Sequence, residues 1–210
     1  MSFNFTIKHY RSTIQSYLDS EYKFCNLQDD LNKNYKNKII MVHDVDHDIS
    51  LCSNFMKAEK DLKVKATYFL RLHAKSYNML SSKSIDLAKR IIDNGGDIGL
   101  HYEPSFCPTE AITYDQHISQ EMEILSTYIG KQISIYNLHE PTRTGKNLVS
   151  CLPEKNRCYN SQHLKDYKYL SDSSCRWREG CFSEHINRWS KILVLTHPIW
   201  WYNMCPSENY

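Results

Sequence analysis

Five stretches of this 210-residue chain place histidine or acidic side chains directly after a short apolar run. Residues 38–42 (KIIMV) lead into His43, Asp44, Val45 and Asp46. Residues 97–100 (DIGL) lead into His101, Tyr102 and Glu103, and residues 134–138 (SIYNL) into His139, Glu140 and Pro141. Residues 168–170 (KYL) precede Ser171, Asp172 and Ser173, and residues 192–196 (ILVLT) precede His197 and Pro198. One buried histidine alone is more often a satisfied core residue than a ligand. Five converging ends reverse that expectation and call for a polar site. Two imidazoles and a carboxylate with an open position suit one divalent ion, zinc or a similar metal. Of Asp44 and Asp46, one can bind the ion while the other takes a proton from the water it activates, the chain turning at the strand end to bring both to one site. The plainer role of helix cap suits Asp48 but leaves His43, Asp44 and Asp46 unexplained.

For those ends to meet, the apolar runs must be parallel strands with their C-termini on one side. The chain alternates accordingly. Strand-like runs begin near residues 38, 66, 97 and 134, with later ones at 167–170 and 192–196. Between them lie helical patterns over 49–62, from Ser84 to Gly95, and from about 108 to Gly130. Such repetition predicts a parallel α/β fold, whose functional face lies at the C-terminal strand ends. Phe5, Ile7, Tyr10, Ile14 and Leu18 stand at helical spacing, so residues 1–37 read as a helical extension and 38–210 as the main domain.

Composition narrows the function classes. The 41% hydrophobic and 24% charged residues are those of a globular chain. The 26 basic and 24 acidic side chains nearly cancel, so no nucleic-acid footprint is expected. No apolar run approaches the roughly 20 residues of a membrane span. The opening stretch lacks the features of a secretory signal, which gives a cytoplasmic reading with reduced thiols. The eight cysteines have no knuckle or redox-motif spacing.

The motifs, taken in order over residues 38–201, resemble those of the polysaccharide deacetylases of carbohydrate esterase family four, the NodB-homology proteins. That resemblance implies a single-domain distorted (β/α) barrel with about seven parallel strands. HDVD (43–46) resembles the first motif, implying Asp44 as catalytic base and Asp46 as metal ligand. GLHYE (99–103) puts His101 in the place of a metal histidine. LHEPTRTG (138–145) resembles the groove-lining third motif, with Pro141 at the substrate. SDSSCRW (171–177) implies Asp172 orienting the catalytic histidine and Trp177 walling the pocket, and LTHP (195–198) makes His197 the general acid.

Two departures stand out. Ser105 occupies the position of the second metal histidine, and His139-Glu140-Pro141 replaces the arginine that opens the third motif. His139 is expected to supply the missing imidazole, with Glu103, His43 and His47 as other candidates. Arg143, Arg176 or Arg178 would hold Asp44. Trp200 and Trp201 follow the acid directly and suit stacking on sugar rings, core packing being the competing reading. The implied activity is metal-dependent removal of an N-acetyl or other acyl group from a sugar or glycan precursor. Hydrolysis of a non-sugar C–N bond, and metal-free glycan binding, remain open beside it.

Overall fold

A strand covered on both faces must be apolar on both faces. The computed structural model describes residues 5–27, 35–140, 158 and 166–203, and in it β2 (Lys38–Val45) is buried at every position. The strand runs three residues past the apolar pentamer, so His43 and Asp44 lie within it. Around it stand β1 (Lys23–Cys25), β3 (Thr67–Leu70), β4 (Asp97–Tyr102), β5 (Tyr136–Leu138), β6 (Lys168–Ser171) and β7 (Lys191–Thr196). All pairings are parallel, in the order β5-β4-β3-β2-β7-β6. On one edge of β2, β1 pairs with Lys38, Ile39 and Ile40, and β3 with Val42 to Val45. The three residues of β1 are too few to show a period and were absent from the expected elements.

Among the described residues four helices, α1 (Ile7–Asp19), α2 (Cys52–Leu62), α3 (Ser82–Asp93) and α4 (Tyr114–Ile129), complete the α/β architecture. Local chemistry sets their ends. Asp48 caps the turn before α2, its carboxylate accepting from the Ser50 N–H at 2.8 Å. Thr113 and Gln116 form a capping box, which starts α4 six residues later than periodicity alone suggests. Gly130, at φ 79°, closes that helix in the left-handed conformation. α1 buries Tyr10, Ile14 and Tyr17 in the main core, where the Tyr17 hydroxyl donates to the Phe182 carbonyl at 2.6 Å.

Strand periodicity then divides the side chains between two cores. Ile39, Met41, Val45, Tyr68, Leu100 and Tyr102 face the helices. Ile40, Val42, Phe69, Leu193 and Leu195 fill a smaller core inside the curl of the sheet. Gly99 lets that inner core close, because a Cβ there would collide with the Phe69 ring. The curl is a half-barrel, tight enough for Asn137 on β5 to reach Asp44 on β2 across two intervening strands. Among the described residues, no helix is long and apolar enough to cross a membrane. The six described cysteines form no disulfide with one another, and four of them are buried.

Candidate active site

Register decides which strand-end residues meet. On β2, Ile40, Val42 and Asp44 point inward, and Asp46 follows on the same face. No turn of the chain is needed to unite the two aspartates, since positions two apart share a face. The same alternation turns His101 of β4 inward while Leu100 and Tyr102 face the helices. Asn137 and His139 project alike from β5, whose ladder continues as the His139 N–H donates to the Tyr102 carbonyl at 2.8 Å. His197 follows β7 on the inward face of Leu193 and Leu195. Asp172 follows β6 and is fully buried.

Three of these residues, Asp46, His101 and His139, form a group that could hold a metal ion. His101 Nε2 lies 3.1 Å and His139 Nε2 3.4 Å from Asp46 Oδ1. One donor atom from each lies within 4.8 Å of the others, and the two rings stand nearly perpendicular, at 88°. Burial raises the Asp46 carboxyl, but the His101 hydrogen bond and the charges of His101, His197 and His139 outweigh it and hold it well below the usual range. Burial and the neighbouring His101 push His139 down to about 4. An ionised carboxylate and a neutral imidazole are the forms that bind a cation. Two nitrogens and one oxygen fit a zinc-class ion with a position to spare. The buried Nδ1 of His101 has no hydrogen-bond partner among the described residues.

The other candidates for the third ligand are held elsewhere. Glu103 accepts from the Arg71 guanidinium, which also donates to the Asp46 carbonyl at 3.2 Å. His43 is on the helix-facing side of β2, between Glu59 at 2.7 Å and the Thr196 hydroxyl at 2.6 Å. His47 and Ser105 are exposed.

Beside this group lie two further titratable residues, His197 and Asp44. His197 Nδ1 is 2.6 Å from Asp172 Oδ1, and the His197 backbone N–H donates to the same carboxylate at 3.0 Å. Burial opposes charge on the imidazole, but the Asp172 hydrogen bond and charge, with Asp44 and Asp46 behind them, raise it to about 9. Its Nε2, 3.9 Å from Asp46 Oδ2, faces the metal group. On the other side, burial raises the Asp44 carboxyl despite the charges of His101 and His197. Asn137 Nδ2 donates to both its oxygens, at 3.0 and 3.1 Å.

Among the described residues that amide, and no arginine of the expected set, holds Asp44. Arg176 and Arg178 are exposed, and Arg143 lies outside the described residues, as does Pro141. Asn137 was findable: it lies two residues before His139, on the same face. Arg71 was findable too, two residues past the inward-facing Phe69. Of the aromatic candidates, Trp201 takes the core-packing reading. Trp201 is buried against Phe5 and Tyr10, and its Nε1 donates to Asp172 Oδ2 at 2.7 Å, so its ring packs beneath the site and opens no face to a substrate. Trp177 is likewise buried, against Phe182. Trp200 is half-buried in the turn Pro198–Trp200.

No protein-family model matches the chain, and no curated protein matches its sequence. Solved structures match in fold. The Xyl-CE4 domain of a multidomain xylanase from the hindgut metagenome of Trinervitermes trinervoides is 12% identical over 79% of this chain and 75% of that one, with TM-score 0.52. The peptidoglycan deacetylase PdaC from Bacillus subtilis is 14% identical over 79% and 76%, with TM-score 0.51. A CE4 family pseudoenzyme from Bacillus anthracis is 15% identical over 79% of this chain and 56% of that one, with TM-score 0.50. The fold is therefore that of the carbohydrate esterase family four deacetylases, and what this chain does with it rests on its side chains.

Proposed function

We propose that this chain is a metal-dependent hydrolase that removes an acyl group, N-acetyl foremost, from a sugar or glycan precursor. One observation carries the reading: Asp44, and His197 with Asp172 behind it, flank the donor group of Asp46, His101 and His139 in one partly buried cluster. The pseudoenzyme neighbour makes the side chains, not the fold, the deciding ground.

Asp46, His101 and His139 would hold a divalent ion, which would supply polarisation of the acyl carbonyl and a lower pKa for water. Asp44 takes the proton of the attacking water, and its burial makes it a stronger base than an exposed carboxylate. Asn137 keeps both Asp44 oxygens in place for that transfer. The water oxygen adds to the carbonyl carbon, and the C–N bond then breaks. His197, protonated below about pH 9, gives its Nε2 proton to the departing amine. Asp172 steadies the imidazolium through Nδ1 and is itself fixed by Trp201. Sugar is preferred over other amides because the fold neighbours with substrates in their names are a xylanase domain and a peptidoglycan deacetylase.

The test is acetate release from a panel of N-acetylated sugars by zinc-loaded protein, alongside non-sugar amides. Release confined to the non-sugar amides would move the assignment to an amidohydrolase. A zinc-loaded, folded chain inert on every substrate would remove catalysis from the proposal. His139→Ala is expected to weaken zinc retention at this site sharply, and unchanged occupancy would exclude it as the third ligand.

A further inference from the structure

Tyr102, next to His101, points to the opposite side of β4, and a second set of metal-ligating side chains gathers there. His117 and Glu121 are four residues apart on α4 and so share one helix face. His73 joins them from the segment after β3. Glu121, only 3% exposed, places Oε1 2.7 Å from His73 Nε2 and 3.4 Å from His117 Nε2. One donor atom from each residue lies within 4.8 Å of the others.

From this geometry we infer that the chain carries a second metal site, of the class zinc occupies, formed by His73, His117 and Glu121. With bonds of about 2.0–2.1 Å in a tetrahedron, neighbouring donors around zinc sit roughly 3.3 Å apart. The pair distances above lie within several tenths of an ångström of that spacing. Both imidazoles present Nε2 to the carboxylate, as ligands must. Tyr102 OH is 3.0 Å from His117 Nδ1, the outer hydrogen bond that orients a ligating histidine. Phe106 stacks on the His73 ring at 4.2 Å and 8°, fixing its plane. Three protein donors leave a fourth position for water, and a buried carboxylate gains a cation. The ion would tie the segment after β3 to α4. That segment begins at Arg71, which grips Glu103 and the Asp46 carbonyl, so the second site braces the wall of the first.

The probe is zinc alone, counted by metal analysis after dialysis and by calorimetry on the full chain. Asp46→Ala/His101→Ala removes the first donor group. This variant is expected to keep one equivalent of zinc and to melt higher with zinc than without. Adding His117→Gln should remove that equivalent. In the otherwise wild-type chain, His73→Gln should lower zinc content by one equivalent whatever the first site holds. The His73 side chain is 33% exposed, so its replacement is expected to leave the circular dichroism spectrum unchanged. Unchanged zinc content in folded His73→Gln protein overturns the inference, as does a folded Asp46→Ala/His101→Ala chain that binds no zinc.

Discussion

Replacing Asp172 with Asn keeps the shape of the side chain and removes its charge. In the wild-type protein the His197 imidazole is raised from its ordinary 6.5 to about 9, chiefly against burial and chiefly by Asp172. Without that charge, burial opposes only Asp44 and Asp46, and the imidazole is expected to return to the ordinary value or below. If its protonated form is the acid, the rate follows the protonated fraction. The variant then loses about 30-fold at pH 8, about fourfold at pH 7 and almost nothing at pH 6, from tenfold per pH unit beyond the pKa. Those losses hold for the metal-free values; an ion bound at Asp46 lowers both by its own charge, which leaves the difference between them and moves the same losses to lower pH. Stability carries the same sign. A raised imidazole stabilises the fold fully below the unfolded value near 6.5, and that contribution is lost as pH rises through about 9. It amounts to a few kcal/mol at roughly 1.4 kcal/mol per tenfold. The assays are kcat/KM against pH and an NMR titration of His197 in the metal-free chain. A deficit that is the same at pH 6 and pH 8, or a His197 that titrates alike in both proteins, would refute the reasoning.

Asp44→Asn is expected to cost about 10²–10⁴-fold in kcat while zinc stays bound, the range for a positioned base; a zinc-loaded, folded and fully active variant would end the mechanism. Asn137→Ala should lower kcat by about 10–100-fold with zinc content unchanged, because a base that loses its anchor is mispositioned, and equal kcat would show that the amide is dispensable. Glu59, buried on α2, accepts from Tyr10 and Tyr68 at 2.7 Å each and lies 2.7 Å from His43 Nε2. Glu59→Ala strands all three partners and should cost about 3–5 kcal/mol in urea unfolding; a loss under 1 kcal/mol would contradict it. Burial alone would raise the Glu59 carboxyl, but the His43 charge and the three hydrogen bonds hold it lower, so this stability is present above the unfolded value and is lost as pH falls through the folded one.

The five strand ends and their chemistry could be read along the chain, because parallel strands covered on both faces are written as apolar runs and the polar residues after them stand out. Helix ends were legible where the cap is local, as at Asp48, Gly95 and Gly130. Period two also separates His43 from Asp44, and Asn137 and Arg71 could have been found by applying it consistently. What the curl of the sheet decided is which residues touch. It carries Asn137 across to Asp44 and brings His139 to Asp46. Arg71 draws Glu103 into an ion pair, and nothing in the spacing of those two residues announces it. Trp201 turns beneath the site because its indole N–H meets the buried Asp172 carboxylate. Each of these contacts joins positions 29 to 93 residues apart. Local pattern sets the face on which a side chain emerges, whereas its partner is set by how far the sheet bends, a property of all seven strands together.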